Sequence, residues 1–570
     1  MSLLDQLTAD KIVLVIIVLY LLAYKFYGSF IAKKVFAAND QSKTPATQIN
    51  DGVDFLATRK TILFGHHFAS IAGVAPIIGP CIAVYWGWLP AVVWIVLGNI
   101  FMGAVHDMSV LFLSVRNNAK SLVEISAAKI FNGFFDKKAR LGLMFVTVFL
   151  LWIVSAAFTV VIAKLFVRYP ASVIPTVFAS VLAMLMGIIL YRLKIHALLP
   201  SLISLLLLYA SIPVGVKFPI DLQSLLNCSS DLALAIWVLI LLLYAYIASV
   251  LPVWLLLQPR DYINSHQIVV GLGILLFGVF ATQPEIVAPA INFNTEKPWF
   301  PFLFITIACG AISGAHGLIS AGTTSKQIAK ESDIRPIAYG SMLLEGFLAI
   351  LAVVAASAGF KNAGAWTEHY HSWHHASASG LDAFINGCVN FLDVLHLPHE
   401  LLAAFIAVII ISFASTSLDT LFRIQRYVLA ESSELLKTKV FENRYLGSFL
   451  ALFAVSLLIF SEGITSLDIS KVNGAFVLWP LFGTANQLLA ALALLVVSVY
   501  LILKKQNYIY ILLPALIMLA LTFYAVISSI INFYNEANYL LMLFSVLVFV
   551  AQVFIVRPLL RFLKGVLPNP

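Results

Sequence analysis

Charged residues are scarce in this chain. Asp, Glu, Lys and Arg make up 11% of its 570 residues, whereas a soluble globular protein carries about 25%. Hydrophobic residues make up 61% of the chain, and the mean hydropathy is +0.98. A soluble domain of this size is therefore excluded, and the composition predicts many helices surrounded by lipid.

Cysteine is also rare, and the start of the chain lacks basic residues. The chain's four cysteines are too few for a disulfide scaffold. Cys228 and Cys388 both fall in predicted outer loops, where an oxidising compartment permits a disulfide between them. Residues 1–11 lack the basic region of a cleavable signal peptide, and the next apolar stretch is long enough to span a bilayer. We therefore expect the first span to be retained.

Fifteen apolar segments are long enough to cross a bilayer as helices. They lie near residues 12–30, 62–86, 89–115, 141–166, 173–190, 198–214, 232–257, 268–287, 302–323, 337–358, 401–421, 445–460, 473–499, 509–531 and 539–556. Their cytoplasmic connections are too short for a soluble catalytic domain, and the longest outer loop, 359–400, is polar. The sequence therefore predicts an all-α polytopic membrane protein with the lipid bilayer, and no nucleic acid, as its partner.

Basic residues fall on one side of the predicted membrane. The connections on that side are 31–61, 116–140, 191–197, 258–267, 324–336, 422–444, 500–508 and 557–570. They hold 27 of the 35 Lys and Arg residues, and the opposite side holds seven. Because cytoplasmic loops carry the excess of basic residues, we expect the N-terminus outside and the C-terminus in the cytoplasm, which in a bacterium means the cytoplasmic (inner) membrane.

The second predicted span is interrupted near its middle. Pro76 and Pro80 lack N–H donors, so the carbonyl of Ala72 loses its helical partner. In hydrocarbon such a carbonyl must be satisfied by protein, water or an ion. A spanning helix broken at mid-depth is typical of a transporter's binding site, and His66 and His67 stand just before this break. A kinked but well-packed helix is the alternative interpretation.

An inverted repeat would pair this span with another one. Repeats with five helices make equivalent helices run in opposite directions, so the seventh span, which contains Pro252, would be the mate; a simple proline kink there is the alternative. The ninth span combines closely spaced glycines with the hydroxyls of Ser320, Thr323 and Thr324. These oxygens suit a hard cation such as Na⁺, although they can also bond to their own helix.

Few ionisable residues lie within the predicted spans. Such residues are costly in a membrane and are candidates for function. Glu345 has no partner nearby in the sequence, so we interpret it as a proton carrier. His66, His67 and His316 could also carry protons near neutral pH. Coupling to protons is the favoured hypothesis, and coupling to sodium stays open.

Two acidic residues have candidate ion-pair partners in the sequence. Asp419 and Arg423 are four residues apart in the eleventh span, which predicts a structural pair on one helix face. Asp107 lies near the end of the third span, where Arg116 or another basic loop residue could pair with it. Both pairs would be structural.

Histidine-rich segments raise a second class of function. His66, His67, His106 and Asp107 could be the ligands of a membrane-embedded metalloenzyme, and a passive channel is a third possibility. The outer segment 369–375 contains four histidines, residues of a type that binds metals, and a solvated polar loop is the alternative interpretation. We expect a solvated polar loop there.

Four motifs resemble the carbon starvation protein A (CstA) family. They are Phe64-Gly-His-His-Phe, Gly103-Ala-Val-His-Asp107, Ile307-Ala-Cys-Gly-Ala-Ile-Ser-Gly314 and Trp479-Pro-Leu-Phe-Gly-Thr-Ala-Asn-Gln487. The resemblance extends over essentially the whole membrane region. It implies a secondary transporter for pyruvate or short peptides with the fold of the leucine transporter, which is built from two inverted repeats of five helices.

The resemblance also implies a domain division and a sodium site. Residues 1–61 would hold an extra helix and a loop, 62–231 and 232–444 the two repeats, and 445–570 about four extra helices. A sodium site would lie between the carbonyls around Ala69 to Gly73 and the hydroxyls from Ser320 to Thr324.

These inferences predict an ion-coupled importer and not an enzyme, with H⁺ or Na⁺ as coupling ion and no other cofactor. The predicted substrate-binding residues are His66, His67, Ser70, Gly73 and Ser249. The predicted ion-coupling residues are Ala69, Ala72, Ser313, His316, Ser320, Thr323, Thr324 and Glu345. The predicted structural or gating residues are Pro76, Pro80, Asp107, Asp419 and Arg423.

Overall fold

The computed structural model describes residues 8–51, 55–126, 137–193, 198–436, 440–466, 468, 470–472, 475–536 and 538–566. These residues form helices joined by short connections and contain no β-strand. An all-helical architecture follows from the composition, because a helix satisfies its own backbone hydrogen bonds in lipid. The prediction of an all-α polytopic membrane protein is confirmed.

The longer helices are named here in chain order. They are α1 (Ala9–Val35), α2 (Lys60–Ile71), α3 (Ala75–Trp86), α4 (Trp88–Arg116), α5 (Lys137–Arg168), α6 (Val173–Leu193), α7 (Leu198–Lys217), α8 (Ser230–Val250) and α9 (Leu257–Thr282). They continue with α10 (Trp299–Thr306), α11 (Gly314–Gly322), α12 (Glu331–Ala358), α13 (Trp373–Leu392), α14 (His399–Leu436), α15 (Arg444–Ser466), α16 (Ala475–Leu503), α17 (Ile509–Asn535) and α18 (Tyr539–Val566).

Most predicted spans are continuous helices. Within the described residues, thirteen helices are long and apolar enough to cross a membrane, and the bent pair α2–α3 makes a fourteenth span. The ninth predicted span differs, because it consists of two short helices, α10 and α11, separated by the non-helical residues 307–313. The prediction of fifteen spans is therefore corrected: fourteen fit the length of a membrane, and the fifteenth is a second broken helix.

The second interruption is not where the repeat predicted it. The seventh span, α8, is regular up to Val250, and Pro252 follows its end. A proline one or two residues after a helix end is common because it cannot continue the helix. The break therefore occurs in the ninth span instead of the seventh, and the division of the chain at residues 62, 232 and 445 stays a prediction.

The long outer loop is folded onto the bundle. Its helix α13 begins after Ser372, whose side chain accepts a hydrogen bond from the His375 backbone N–H at 3.2 Å. The hydroxyl of Tyr370 donates to the carbonyl of Cys81 at 2.8 Å, and the ring of Trp373 lies 5.0 Å from that of Trp86. Helix α13 buries its apolar face against α3 and α12, whereas His371 and His374 of segment 369–375 are exposed, as expected for a solvated segment.

The cysteines are all free thiols. Cys388 is buried on α13, whereas Cys228 is partly exposed in the connection before α8. The sulfur of Cys228 donates to the carbonyl of Leu222. The Cys228–Cys388 disulfide is therefore wrong, because folding buries one partner in the bundle.

The end of the bundle that holds Arg116, Lys326 and Arg426 is called the basic end. At this end Arg116 forms two hydrogen bonds of 2.8 Å with the carboxylate of Glu331. Paired donors of this kind fit a carboxylate and fix its orientation. The predicted pair of Asp107 with Arg116 is wrong, because Arg116 is engaged with Glu331.

Candidate functional site

The first break separates α2 from α3 at the predicted place. The helix ends at Ile71, the two halves are bent by 49°, and α3 begins at Ala75. The ψ of Ala72 is 64°, which is not helical. Pro76 is the second residue of α3, a position where its missing N–H is not needed. Residues 72–74 therefore make the break, and Pro76 starts the next helix.

The backbone of the first break has unused hydrogen-bonding groups. No hydrogen bond from the described residues reaches the carbonyls of Ala69, Ala72 or Gly73. The N–H groups of Val74 and Ala75 are also without a partner in that part of the chain. Unpaired backbone groups away from water are costly, so this break can bind water, an ion or a polar substrate.

Side chains satisfy several backbone carbonyls of the second break. The carbonyls of residues 304, 306, 307 and 310 accept hydrogen bonds, in that order, from the side chains of Gln487 (2.7 Å), Trp479 (3.4 Å), Trp94 (3.1 Å) and Asn99 (3.1 Å). The start of α11 is capped as well, because the side-chain oxygen of Asn486 accepts from the Ala315 N–H at 2.9 Å. Side chains from distant positions therefore support this break, although the carbonyls of Cys309, Ala311 and Ile312 have no donor in the described residues.

The two broken helices touch each other. A Cβ added at Gly79 of α3 would lie 2.3 Å from the carbonyl oxygen of Thr306, the last residue of α10. Such an approach is possible only without a side chain. Gly79 therefore lets two interrupted spans meet in the middle of the bundle.

A chain of ionisable groups lies beside the second break. The two oxygens of Asp107 contact His106 Nδ1 at 2.8 Å and His316 Nδ1 at 3.0 Å. On its other side, His316 Nε2 lies 3.2 Å from an oxygen of Glu345, in a geometry that does not form a hydrogen bond. All four side chains are buried. Asp107 and Glu345 both lie against the imidazole of His316, so the net charge of this buried cluster depends on how many protons its four groups hold.

One group of residues in the described chain has the arrangement of metal ligands. The ligand atoms of Cys309, His316 and Glu345 all lie within 4.8 Å of one another. Thiolate, imidazole and carboxylate are the donors that Zn²⁺ accepts. The proposed metalloenzyme set is not gathered at one place: His66 and His67 contact other partners, and His106 binds Asp107.

The two histidines before the first break have separate partners. His66 Nδ1 lies 2.9 Å from the carboxylate of Asp261, and His67 Nδ1 lies 2.8 Å from the hydroxyl of Thr324. The hydroxyl of Ser70 donates to the carbonyl of His66 within the same helix. His66 and His67 therefore connect α2 to α9 and to the end of α11.

The predicted ion pair on α14 is wrong. Asp419 binds Arg260, with 2.8 Å between carboxylate oxygen and guanidinium nitrogen, and it also accepts from the hydroxyl of Tyr244. Arg423 instead donates to the carbonyls of Ala248 and Leu251. The reason is that α8 ends there and leaves carbonyls unpaired, which the guanidinium of Arg423 satisfies.

The other predicted residues are in varied surroundings. Ser249 donates to the carbonyl of Tyr246 in its own helix, and Thr323 donates likewise to Ile319. The hydroxyl of Ser313 exchanges hydrogen bonds with Asn486. Ser320 is buried, and its hydroxyl has no hydrogen-bond partner. Pro80 lies inside α3.

Several site residues were missed by the sequence analysis. Residues 258–267 were assigned to a loop, but they form the first turns of α9 and bury Arg260, Asp261 and Asn264. These three residues occupy positions i, i+1 and i+4, which lie on one helix face, so the pattern could have indicated a buried polar face. Asn486 was quoted in a motif without a role, and nothing local predicts what it caps.

The chain was compared with known proteins. The model of the family "Carbon starvation protein CstA" matches residues 8–363 and 361–525. "Peptide transporter CstA" of Helicobacter pylori is 32% identical over 91% of this chain and 82% of its own length. The protein of that name from Escherichia coli is 32% identical over 88% and 78%. "Pyruvate/proton symporter BtsT" of Escherichia coli is 37% identical over 62% of this chain and 49% of its own length.

Among solved structures, a manganese transporter of Eremococcus coleocola aligns over 91% of this chain and 99% of its own, with a TM-score of 0.48 and 13% identity. A likeness at that level carries no argument about this chain. The family match covers most of the sequence, including all four motifs and both broken helices. The chain therefore belongs to the carbon starvation protein CstA family of membrane transporters.

Proposed function

We propose that this protein is a proton-coupled importer of a small carboxylate such as pyruvate, or of short peptides, in a bacterial inner membrane with its N-terminus outside. The names of its relatives support both substrate classes, and one relative is named a proton symporter. Because these relatives are named as transporters, they also support a protein that transports without enzymatic activity. The remaining support comes from the two breaks.

The first break supports binding of a carboxylate. The N–H groups of Val74 and Ala75 are unpaired at the start of α3, where the helix dipole favours negative charge. The neighbouring carbonyls of Ala72 and Gly73 could accept from an ammonium group or from water. A substrate with a carboxylate and a second polar group would satisfy both kinds of backbone group.

The observation that carries proton coupling is the buried chain Asp107–His316–Glu345. It links α4, α11 and α12, and so connects one half of a broken span to two continuous helices. Uptake or loss of one proton changes the charge of this chain in a place shielded from water. Such a change favours one packing of α11 over another, which couples proton movement to alternating access.

Proteoliposomes with an imposed pH gradient test the proposal. The purified protein should accumulate labelled pyruvate or a labelled di- or tripeptide against its concentration gradient. Accumulation of neither substrate would show that the proposed function is wrong.

The variant Glu345→Gln tests the coupling. It keeps the shape of the side chain and removes its proton chemistry, so uphill uptake should fall at least a hundredfold while counterflow exchange continues. Glu400→Gln, at an exposed position in the first turn of α14, is the matched control. Equal loss of uphill uptake and exchange in Glu345→Gln would assign Glu345 to folding instead.

Sodium is the second candidate for the coupling ion. It is favoured by the unpaired carbonyls of Ala69 and Ala72 together with unpartnered hydroxyls on Ser320 and Ser417. The Ser417 hydroxyl would lie 2.8 Å from a Cβ at Gly73, so it is next to the break. Uptake that is unchanged without sodium, at a fixed pH gradient, would exclude this alternative.

A further inference from the structure

A large cavity opens at the basic end of the bundle. It has a volume of about 620 Å³ and lies between the end of α8, the start of α9 and the basic halves of α14 and α15. We call it the arginine cavity because Arg423, Arg426 and Arg444 line it. Aromatic side chains of Trp254 and Tyr427 form other parts of its wall.

The arginine cavity has an excess of positive charge. Glu442 is the carboxylate in its lining, against three guanidinium groups. Arg423 is buried with its Nε unpaired, and its other donors reach only backbone carbonyls. Arg426 donates to the carbonyl of Ser249 at 3.1 Å. Neither Arg423 nor Arg426 has a carboxylate partner in the described part of the chain, so both charges are available to an anion.

A smaller cavity continues from this one toward the first break. It has a volume of about 50 Å³ and reaches His66. Arg423, Tyr427 and Gln258 line both cavities. These three residues and Val253, which also lines both cavities, therefore separate the arginine cavity from α2, the first half of the broken span.

We propose that the arginine cavity is a second binding site for an organic carboxylate, in which Arg423 and Arg426 bind the anion between the first break and the basic end. This inference rests on the proposed function, since its ligand is the transported substrate. Arginine is suited to the role because its planar group binds a carboxylate through two parallel hydrogen bonds. The aromatic walls suit a ligand with a small apolar part.

An anionic lipid headgroup offers the same oxyanion chemistry. Basic pockets between membrane helices on the cytoplasmic side can bind such headgroups. The two sources differ in access: a substrate enters from water or from the first break, whereas a lipid enters from the bilayer. The experiment must therefore contain a substrate arm and a lipid arm.

Pyruvate binding to the purified protein gives the substrate arm. Trp254 lines the cavity, so its fluorescence reports on binding there. We isolate its signal as the difference in tryptophan fluorescence between the wild-type protein and Trp254→Phe. We expect pyruvate to change this difference signal in nanodiscs made only of phosphatidylcholine. Arg426→Gln should weaken the apparent affinity about tenfold or more, because it removes a charged hydrogen bond to the carboxylate. Lys504→Gln, an exposed change at the same end, should leave it unchanged.

Transport kinetics separate this site from the first break. Vesicles that hold the protein in opposite orientations allow uptake to be measured from each side. Arg426→Gln should raise KM about tenfold for pyruvate entering from the basic end and leave KM for entry from the other side unchanged. Arg426→Lys should restore part of the affinity. An equal rise of KM from both sides would overturn the proposal, because the residue would then act on the central site or on the fold.

The lipid arm uses nanodiscs that contain phosphatidylglycerol. Phosphatidylglycerol that is retained through purification and lost in Arg426→Gln, together with no pyruvate signal, would assign the cavity to lipid and overturn the proposal. A wild-type protein that transports neither pyruvate nor peptides, yet binds pyruvate through Arg426, would refute only the proposed function. The two failures are therefore distinguishable.

Discussion

The two broken helices differ in how their backbone groups are satisfied. Between α10 and α11, tryptophan, asparagine and glutamine side chains bind the freed carbonyls, and Asn486 caps the start of α11. Between α2 and α3, the carbonyls of Ala69, Ala72 and Gly73 have no such donors in the described residues. Side chains support several carbonyls of one break, and no side chain in the described residues donates to the carbonyls of the other.

This difference separates scaffold from binding site. An unsatisfied buried carbonyl costs free energy that a bound ion, water or substrate can recover. A break satisfied by side chains gains little from a ligand. We infer that the first break binds the transported species and that the second break gives α11, which carries His316, a fixed starting point.

Gly79→Ala should have the largest effect on this arrangement. Its Cβ would lie 2.3 Å from the carbonyl oxygen of Thr306, and backbone on both sides prevents a small adjustment. We expect the free energy of unfolding to fall by about 3 kcal/mol, measured by thermal unfolding of the purified protein in detergent. The broken helices would separate, and both binding and transport would be lost.

Gly273→Ala is the matched control for this prediction. Gly273 is also in a helix, but no atom lies within 4 Å of its added Cβ. Both substitutions gain about 1 kcal/mol of helix propensity, so the difference between them measures the contact alone. Equal stability of the two variants would mean that α3 and α10 can move apart without cost.

Asn486→Ala should have the next largest effect. It removes the acceptor for the Ala315 N–H and a hydrogen bond with the Ser313 hydroxyl. Because both groups are buried, we expect a loss of about 2 kcal/mol of stability. Asn362→Ala removes a similar cap on an exposed helix and should cost about 1 kcal/mol or less. A smaller loss at Asn486 than at Asn362 would contradict the scaffold role of the second break.

Pro76→Ala should have the smallest effect on stability and a large effect on transport. If the span straightens, the new N–H at position 76 can donate to the carbonyl of Ala72. It would then compete with a bound ligand for that carbonyl. We expect normal expression and folding with uptake lost. Pro514→Ala, the same change in α17, should leave uptake intact. Wild-type uptake by Pro76→Ala would show that residues 72–74 maintain the break without the proline.

The sequence predicted the spans and the first break well. Apolar runs report burial in lipid directly, so segment length and hydropathy were sufficient to find most helices. The first break followed from Pro76 and Pro80, which are local signals. The break in the ninth span was harder, because Asn99, Trp94 and Gln487 support it from distant positions.

The partners of the buried charges were not predictable. Asp419 and Arg423 have the spacing of a helical pair, but each has a better partner on another helix: Arg260 for the carboxylate, and the open end of α8 for the guanidinium. The i, i+4 interaction is worth only a few tenths of a kcal/mol. A buried charge without a partner costs far more, so tertiary contacts decide the pairing.

The sequence by itself determined that this chain is a helical membrane protein, that its second span is broken, and that few ionisable groups enter the bilayer. These properties depend on composition and on local backbone chemistry. Only the tertiary structure decided that Asp107, His316 and Glu345 form one chain, that Gly79 joins the two broken helices, and that three arginines share a cavity. Such groupings depend on which helix faces meet, and packing of whole helices fixes that at long range.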